Sequence, residues 1–109
     1  MRRGEIWWAD QGPPVGRRPV VLLSRDDAYS IRNQVTIAPV TTRIRQIPSE
    51  VQLGPEDGLP QLCVANLDVI ATIPKESLKQ RVSRLSLKKI RLIEEAIRFS
   101  LGMENPNAA

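Results

Sequence analysis

Histidine is absent from this 109-residue chain, which removes the usual general base, the usual proton shuttle and the commonest zinc ligand together. Any chemistry must use other groups. The single cysteine, Cys63, excludes an internal disulfide and fits a cytosolic setting. Flanked by Leu62 and Val64, it reads as a core strand residue rather than a nucleophile. No run approaches the roughly twenty apolar residues of a membrane span, and no N-terminal apolar segment has the length of a signal peptide. A soluble, cytoplasmic chain is expected. The length suits one small domain with a single core, not two, and the expected domain covers residues 1–102, with 103–109 as a disordered tail that has little to bury.

Negative charge is what the first half lacks. The formal net charge is +4, and through Arg45 eight arginines stand against four acidic residues, while the remainder balances eight basic against eight acidic. A basic half favours nucleic acid or another acidic partner through long-range attraction.

Short extended segments separated by turn signals run to about Arg84. Strands are expected at Glu5–Ala9, Pro19–Ser24, Gln34–Thr41, Glu50–Leu53, Leu62–Asn66, Asp68–Ile73 and Gln80–Leu85. Pro39 calls for an edge or a bulge. Leu53 to Pro60, with two Gly and two Pro, is a turn-rich connection, and Asp26 to Asn33 is a second surface loop. From Ser86 the period changes: Leu87, Ile90, Ile93, Ile97 and Leu101 fall on one face of a helix, capped by Ser86 and stopped by Gly102. The opposite face, Lys88, Lys89, Arg91, Glu94, Glu95 and Arg98, reads as solvated, with Arg91–Glu95 or Glu94–Arg98 able to pair across a turn. A mostly β domain with a C-terminal helix follows, its sheet curled into a partly closed barrel.

The groups that could carry chemistry cluster early. Arg17 and Arg18 stand before the β-branched run Pro19-Val20-Val21-Leu22-Leu23, and Pro19 restricts Arg18 to extended backbone. A rigid strand start bearing two guanidinium forks suits phosphate, although a solvated pair that keeps a strand edge soluble is the plainer alternative. Pro39-Val40-Thr41-Thr42 brings hydroxyls out of a buried strand, and Arg43 and Arg45 follow. A hydroxyl donor beside cationic forks can form an oxyanion site, although a threonine that simply suits a strand is the plainer alternative. Trp7 and Trp8 point to opposite faces if they share a strand, so one joins the core while the other can stack on a base.

In this order the residues resemble the MazF/PemK (Kid) toxins of bacterial toxin–antitoxin modules. The resemblance is carried by Arg3-Gly4-Glu5-Ile6-Trp7-Trp8-Ala9-Asp10, the Gly12-Pro13-Pro14 turn, Arg18-Pro19-Val20-Val21-Leu22-Leu23-Ser24, Asp26 or Asp27, Ile37-Ala38-Pro39-Val40-Thr41 and Asp68-Val69-Ile70-Ala71-Thr72-Ile73. It spans about Arg3 to Leu101. It implies an SH3-like barrel of the CcdB/PemK toxin type, working as a homodimer, silenced by a cognate antitoxin protein, and cutting single-stranded RNA (mRNA) at short motifs without the ribosome. In that chemistry the ribose 2′-hydroxyl attacks the adjacent phosphate, and no cofactor or metal is required. Residue by residue, Arg18 matches the catalytic arginine and Thr41 the catalytic threonine. Asp68 matches an acidic position implicated in some members, while Arg17, Thr42, Arg43 and Asn66 are further candidates for catalysis or RNA binding. Asp10, Asp26, Asp27, Asp68 and water are the possible proton acceptors.

Three departures stand out. The loop before Arg18 is shortened to Val15-Gly16-Arg17, Ala71 replaces a basic position, and Asn66 replaces an arginine found in some members. Two rivals are a non-catalytic nucleic-acid-binding module and a gyrase poison of the CcdB type. The latter family carries a C-terminal Trp-Gly-Ile that the terminal Asn107-Ala108-Ala109 does not match.

Overall fold

Val20 to Leu23 is apolar at every position, which a strand tolerates only where both of its faces are covered. The computed structural model, which describes residues 1–104, shows both coverings. Val21 and Leu23 join Ile6, Ala38, Ala65 and Ile93 in one core, while Val20 and Leu22 join Val35, Ile37, Tyr29 and Leu78 in a second on the opposite face.

Seven strands make one antiparallel sheet: β1 (Glu5–Asp10), β2 (Arg17–Leu22), β3 (Gln34–Thr41), β4 (Glu50–Leu53), β5 (Cys63–Asn66), β6 (Ala71–Pro74) and β7 (Leu78–Arg84). Their order is β4-β5-β3-β2-β1-β7, with β6 paired to β3 beside β5. The sheet is not closed, in keeping with the partly closed barrel expected, and its two ends meet at a side-chain contact. Ser83 Oγ of β7 donates to the carbonyl of Asp57, just beyond β4, and a Cβ on Gly58 would lie 2.9 Å from Ser83 Cβ at a φ of +87°. Glycine lets the two ends of the sheet meet there.

Pro39 lies inside the sheet, not at the expected edge or bulge. The ladder to β6 ends at Ile37 and the ladder to β5 begins at Val40, so the proline sits at the break between two partners on one side of β3. Its missing N–H costs least at such a break.

Further differences have local causes. Asp68 is not in a strand: Asn66 Oδ1 accepts from the Asp68 amide at 2.9 Å and turns Leu67–Val69 into a 3-10 helix, delaying β6 to Ala71. The loop after Ser24 contains a helical turn, α1 (Ala28–Ile31), because Tyr29 folds inward and its hydroxyl donates to the Ser24 carbonyl. The C-terminal helix, α2 (Leu87–Ser100), has the expected Ser86 cap. Its buried line, however, is Ile93 and Ala96 flanked by Ile90 and Ile97, while Leu87 is 69% and Leu101 61% exposed. Lys89 is not on a purely solvated face. Its Nζ donates to the Gln52 carbonyl at 2.6 Å and pairs with the buried Asp57 at 3.3 Å, tying α2 to β4. Glu94 pairs with Arg3 at 3.4 Å rather than with Arg98, and Arg91 forms no ion pair among the described residues. No helix among the described residues is long and apolar enough to cross a membrane.

Candidate active site

A short turn delivers both early arginines. Gln11 N donates to the Gly16 carbonyl at 3.1 Å and Gly16 N to that of Gly12 at 2.7 Å, closing a compact loop whose next residues, Arg17 and Arg18, are already paired with Asp10 and Ala9 of β1. They are thus the first residues of β2 rather than the end of a loop. Successive strand residues alternate in face, so the two guanidinium groups part company.

Arg17 takes the face of Trp8. Its guanidinium carbon stands 5.1 Å from the centre of the indole, a cation–π arrangement, and Nη2 reaches Gln80 Oε1 at 3.5 Å. Both tryptophans are half-buried, but Trp7 packs on the second core and its Nε1 donates to Glu5 Oε1 at 2.8 Å, while Trp8 carries the Arg17 guanidinium. Beside Trp8, Pro19, Val40, Thr41, Thr42 and Pro60 line a pocket of about 150 Å³.

Arg18 belongs to the other face. The β2–β3 ladder ends at Val20 paired with Pro39; Arg18 lies two residues before it on β2 and Thr41 two residues after it on β3, at the same end of the sheet. The Thr41 hydroxyl oxygen accepts the Arg43 amide at 3.2 Å, which leaves its proton free to donate outward.

Arg17, Arg18, Thr41, Thr42 and Arg43 therefore gather at one rim of the sheet. Arg17, Arg18 and Arg43 are exposed, as is Arg45, and none of the four forms an ion pair among the described residues. Exposed forks without carboxylate partners leave a concentrated positive field suited to a polyanion.

Two candidates lie apart. Asn66 is buried on β5 and spends its side-chain oxygen on the Asp68 turn, and Asp68 Oδ2 accepts from Ser49 Oγ at 2.5 Å, further along β5 from the level of Thr41. Of the other carboxylates, Asp26 is held by the Arg3 amide at 2.9 Å and Asp27 by Arg25 at 2.8 Å, both beyond the opposite end of β2. Only Asp10, level with Arg17, shares the rim, and its Oδ1 accepts the Gly12 amide at 3.1 Å.

Burial settles Cys63 as a core thiol: it is 4% exposed, desolvation raises its pKa, and the sulfur faces the Leu53 carbonyl at 3.7 Å. Sequence reasoning overlooked Glu50. It sits at the start of β4 with one carboxylate oxygen accepting the amides of Arg45 and Gln46 at 2.8 and 3.1 Å. Nothing in the local sequence signals this, since the bonds depend on how the loop returns.

Comparison with known proteins gives the chain a family and a fold. Residues 2–101 match the family described as PemK-like, MazF-like toxin of type II toxin-antitoxin system. The chain is 39% identical over 100 residues to the probable endoribonuclease MazF5 of Mycobacterium tuberculosis, covering 91% of each protein. Among solved structures, the Mycobacterium tuberculosis toxin MazF-mt6 superposes with a TM-score of 0.85 at 29% identity, covering 92% of this chain and 98% of that one. An endoribonuclease from a mycobacterial species, solved in complex with its cognate antitoxin, gives 0.85 at 27% identity over 97% and 99% of the two chains. A match that takes in every strand and the closing helix leaves no other assignment: the chain belongs to the PemK-like, MazF-like toxins of type II toxin–antitoxin systems.

Proposed function

We propose that this toxin is an endoribonuclease that cuts single-stranded RNA at a short sequence motif, without the ribosome, through the Arg18–Thr41 rim. What supports the reading is that the β2–β3 register, continued two residues past Val20–Pro39, would bring Arg18 level with Thr41, among guanidinium groups with no carboxylate partner among the described residues. Mycobacterial relatives with the same fold bear the name endoribonuclease, and one was solved with its antitoxin, which supports both the reaction and an antitoxin partner here.

The chemistry follows from the groups present. The 2′-oxygen of a ribose forms a bond to the adjacent phosphorus as the bond from phosphorus to the 5′-oxygen breaks. A cyclic phosphate remains on one fragment and a 5′-hydroxyl on the other. An arginine with a pKa above about 12 keeps its charge, so Arg18 clamps the phosphate and steadies the departing oxygen; it does not act as base. The Thr41 hydroxyl donates to a non-bridging oxygen on which charge grows. The 2′-hydroxyl proton passes to Asp10 or to water, and the 5′-oxygen recovers a proton from solvent. Arg17, Thr42 and Arg43 hold neighbouring phosphates, Asn66 and Asp68 shape the β5 turn, and Trp8 offers an aromatic surface to a base.

One domain, residues 1–102, carries this activity, in the cytoplasm and as a homodimer. The expected tail at 103–109 lies mostly outside the described residues.

Incubating purified protein with a defined single-stranded RNA in chelator, then mapping fragment ends, tests the reading. Cyclic-phosphate and 5′-hydroxyl ends at a recurring motif are expected. Binding without cuts would favour a passive nucleic-acid-binding module instead.

A further inference from the structure

The connection from β3 to β4 does something no ladder explains. Because β5 lies between these strands, residues 42–49 must cross over it to reach the start of β4. Residues 42–46 are exposed throughout and carry Arg43 and Arg45. Within residues 42–46 the backbone is held by three hydrogen bonds: Arg43 N to Thr41 Oγ1 at 3.2 Å, Arg45 N to Glu50 Oε1 at 2.8 Å and Gln46 N to the same oxygen at 3.1 Å. Two consecutive amides on one carboxylate oxygen are charge-assisted and directional, and they fix the bend at which Gln46 takes a φ of +58°.

The other oxygen, Glu50 Oε2, is buried with no hydrogen-bond partner among the described residues. Burying half a carboxylate unsatisfied costs stability, so this residue is poorly explained as a device for stability alone. Nor does the carboxylate pair with either guanidinium of the arm. Its charge is spent on the backbone, and the cations stay free.

We propose that Glu50 is a positioning residue that sets the crossing arm as a clamp for the RNA backbone, with Arg43 and Arg45 engaging phosphates that flank the scissile one. The proposal rests on the endoribonuclease reading for its ligand but not for its anchor. An arm that leaves β3 at Thr41 and is pinned at Arg45 and Gln46 is ordered before RNA arrives, so binding a flanking phosphate does not first require ordering the loop.

Steady-state cleavage of an RNA that the wild-type protein cuts, together with backbone amide exchange, tests this. Glu50→Ala should raise KM about tenfold with kcat within about twofold, as expected when binding equal in ground and transition states is lost. Glu50→Gln keeps a carbonyl oxygen for both amides and should restore KM to within about twofold of wild type. In an Arg43→Ala/Arg45→Ala background, Glu50→Ala should add little, because the groups it positions are gone. Amide exchange at Arg45 and Gln46 should speed up in Glu50→Ala and not in Glu50→Gln. Glu50→Asp, one methylene shorter, serves if the alanine variant does not fold.

An unchanged KM in Glu50→Ala, equal damage from Ala and Gln, or a full loss persisting without the two arginines would each overturn the proposal. Should wild-type protein cut no RNA, the cleavage reading fails by itself; amide exchange then still decides the anchor, and binding of an unmodified RNA oligonucleotide decides the clamp.

Discussion

Four exposed guanidinium groups without ion-pair partners among the described residues, Arg17, Arg18, Arg43 and Arg45, set a measurable electrostatic signature. Each phosphate neutralised on a single strand contributes about −0.7 to the slope of log affinity against log salt. If all four contact RNA, one strand on one site should show a slope of about −3. Affinity would then fall roughly fiftyfold between about 50 and about 200 mM salt. The assay is fluorescence anisotropy on an RNA whose scissile ribose is 2′-deoxy, which removes the nucleophile and leaves the phosphates in place. Replacing Arg43 by alanine should shrink the slope by about 0.7 and weaken binding to all sequences alike, because phosphates carry no base identity. Arg91 on α2 is the control: it is exposed and unpaired among the described residues but belongs to the helix, and Arg91→Ala should leave the slope where it was. A flat salt dependence, or an equal change from Arg91→Ala and Arg43→Ala, would refute the placement of RNA on the Arg18 rim.

Burial along α2 separates residues that the sequence pattern groups together. Ile93 is 1% exposed, so Ile93→Ala should cost about 2–5 kcal/mol in urea unfolding. Leu87→Ala, at a site 69% exposed, should stay within about 0.5 kcal/mol. Burial of Tyr29 pushes its phenol up to about 12 from 10.0. Because the folded state holds the proton more tightly, stability is fully present below pH 10 and falls as the pH climbs towards 12. Chemical denaturation across that range, with Tyr29→Phe as the variant that loses this part of the pH dependence, checks the sign.

What the sequence disclosed and what it hid divide along the range of the interactions concerned. β3 at Gln34–Thr41 was readable because Val35, Thr36, Ile37, Val40 and Thr41 are β-branched and favour a strand, and the Ser86 cap because its bond to the Lys89 amide spans only three residues. The Asn66–Asp68 turn was readable in principle, since Asn commonly bonds the backbone two residues on, but the apolar run after it pointed to a strand. The passage of residues 42–49 over β5 could not be read locally. It depends on Cys63–Asn66 inserting between β3 and β4, a pairing of segments distant in the chain, and the anchoring of the arm by Glu50 follows from that insertion.

The candidate site divides in the same way. Arg18, Thr41 and their neighbours stood out by residue type, and the pairing of β2 with β3 puts the start of one strand and the end of the other at the same end of the sheet, which composition cannot show. Asn66 and Asp68 stood out equally, yet their polar atoms are engaged with Ser49 and with each other. Choosing between Trp7 and Trp8 required knowing which face carries Glu5, whose carboxylate takes up the Trp7 indole N–H at 2.8 Å.

Single-turnover cleavage by Arg18→Ala, Thr41→Ala and the double variant tests most directly whether one phosphate is held by both groups. Each single change should slow cleavage about a hundred- to a thousandfold in a folded protein, and the double change should be little worse than the more severe single one. Independent, multiplying losses, or a folded Arg18→Ala protein that cuts at the wild-type rate, would contradict it.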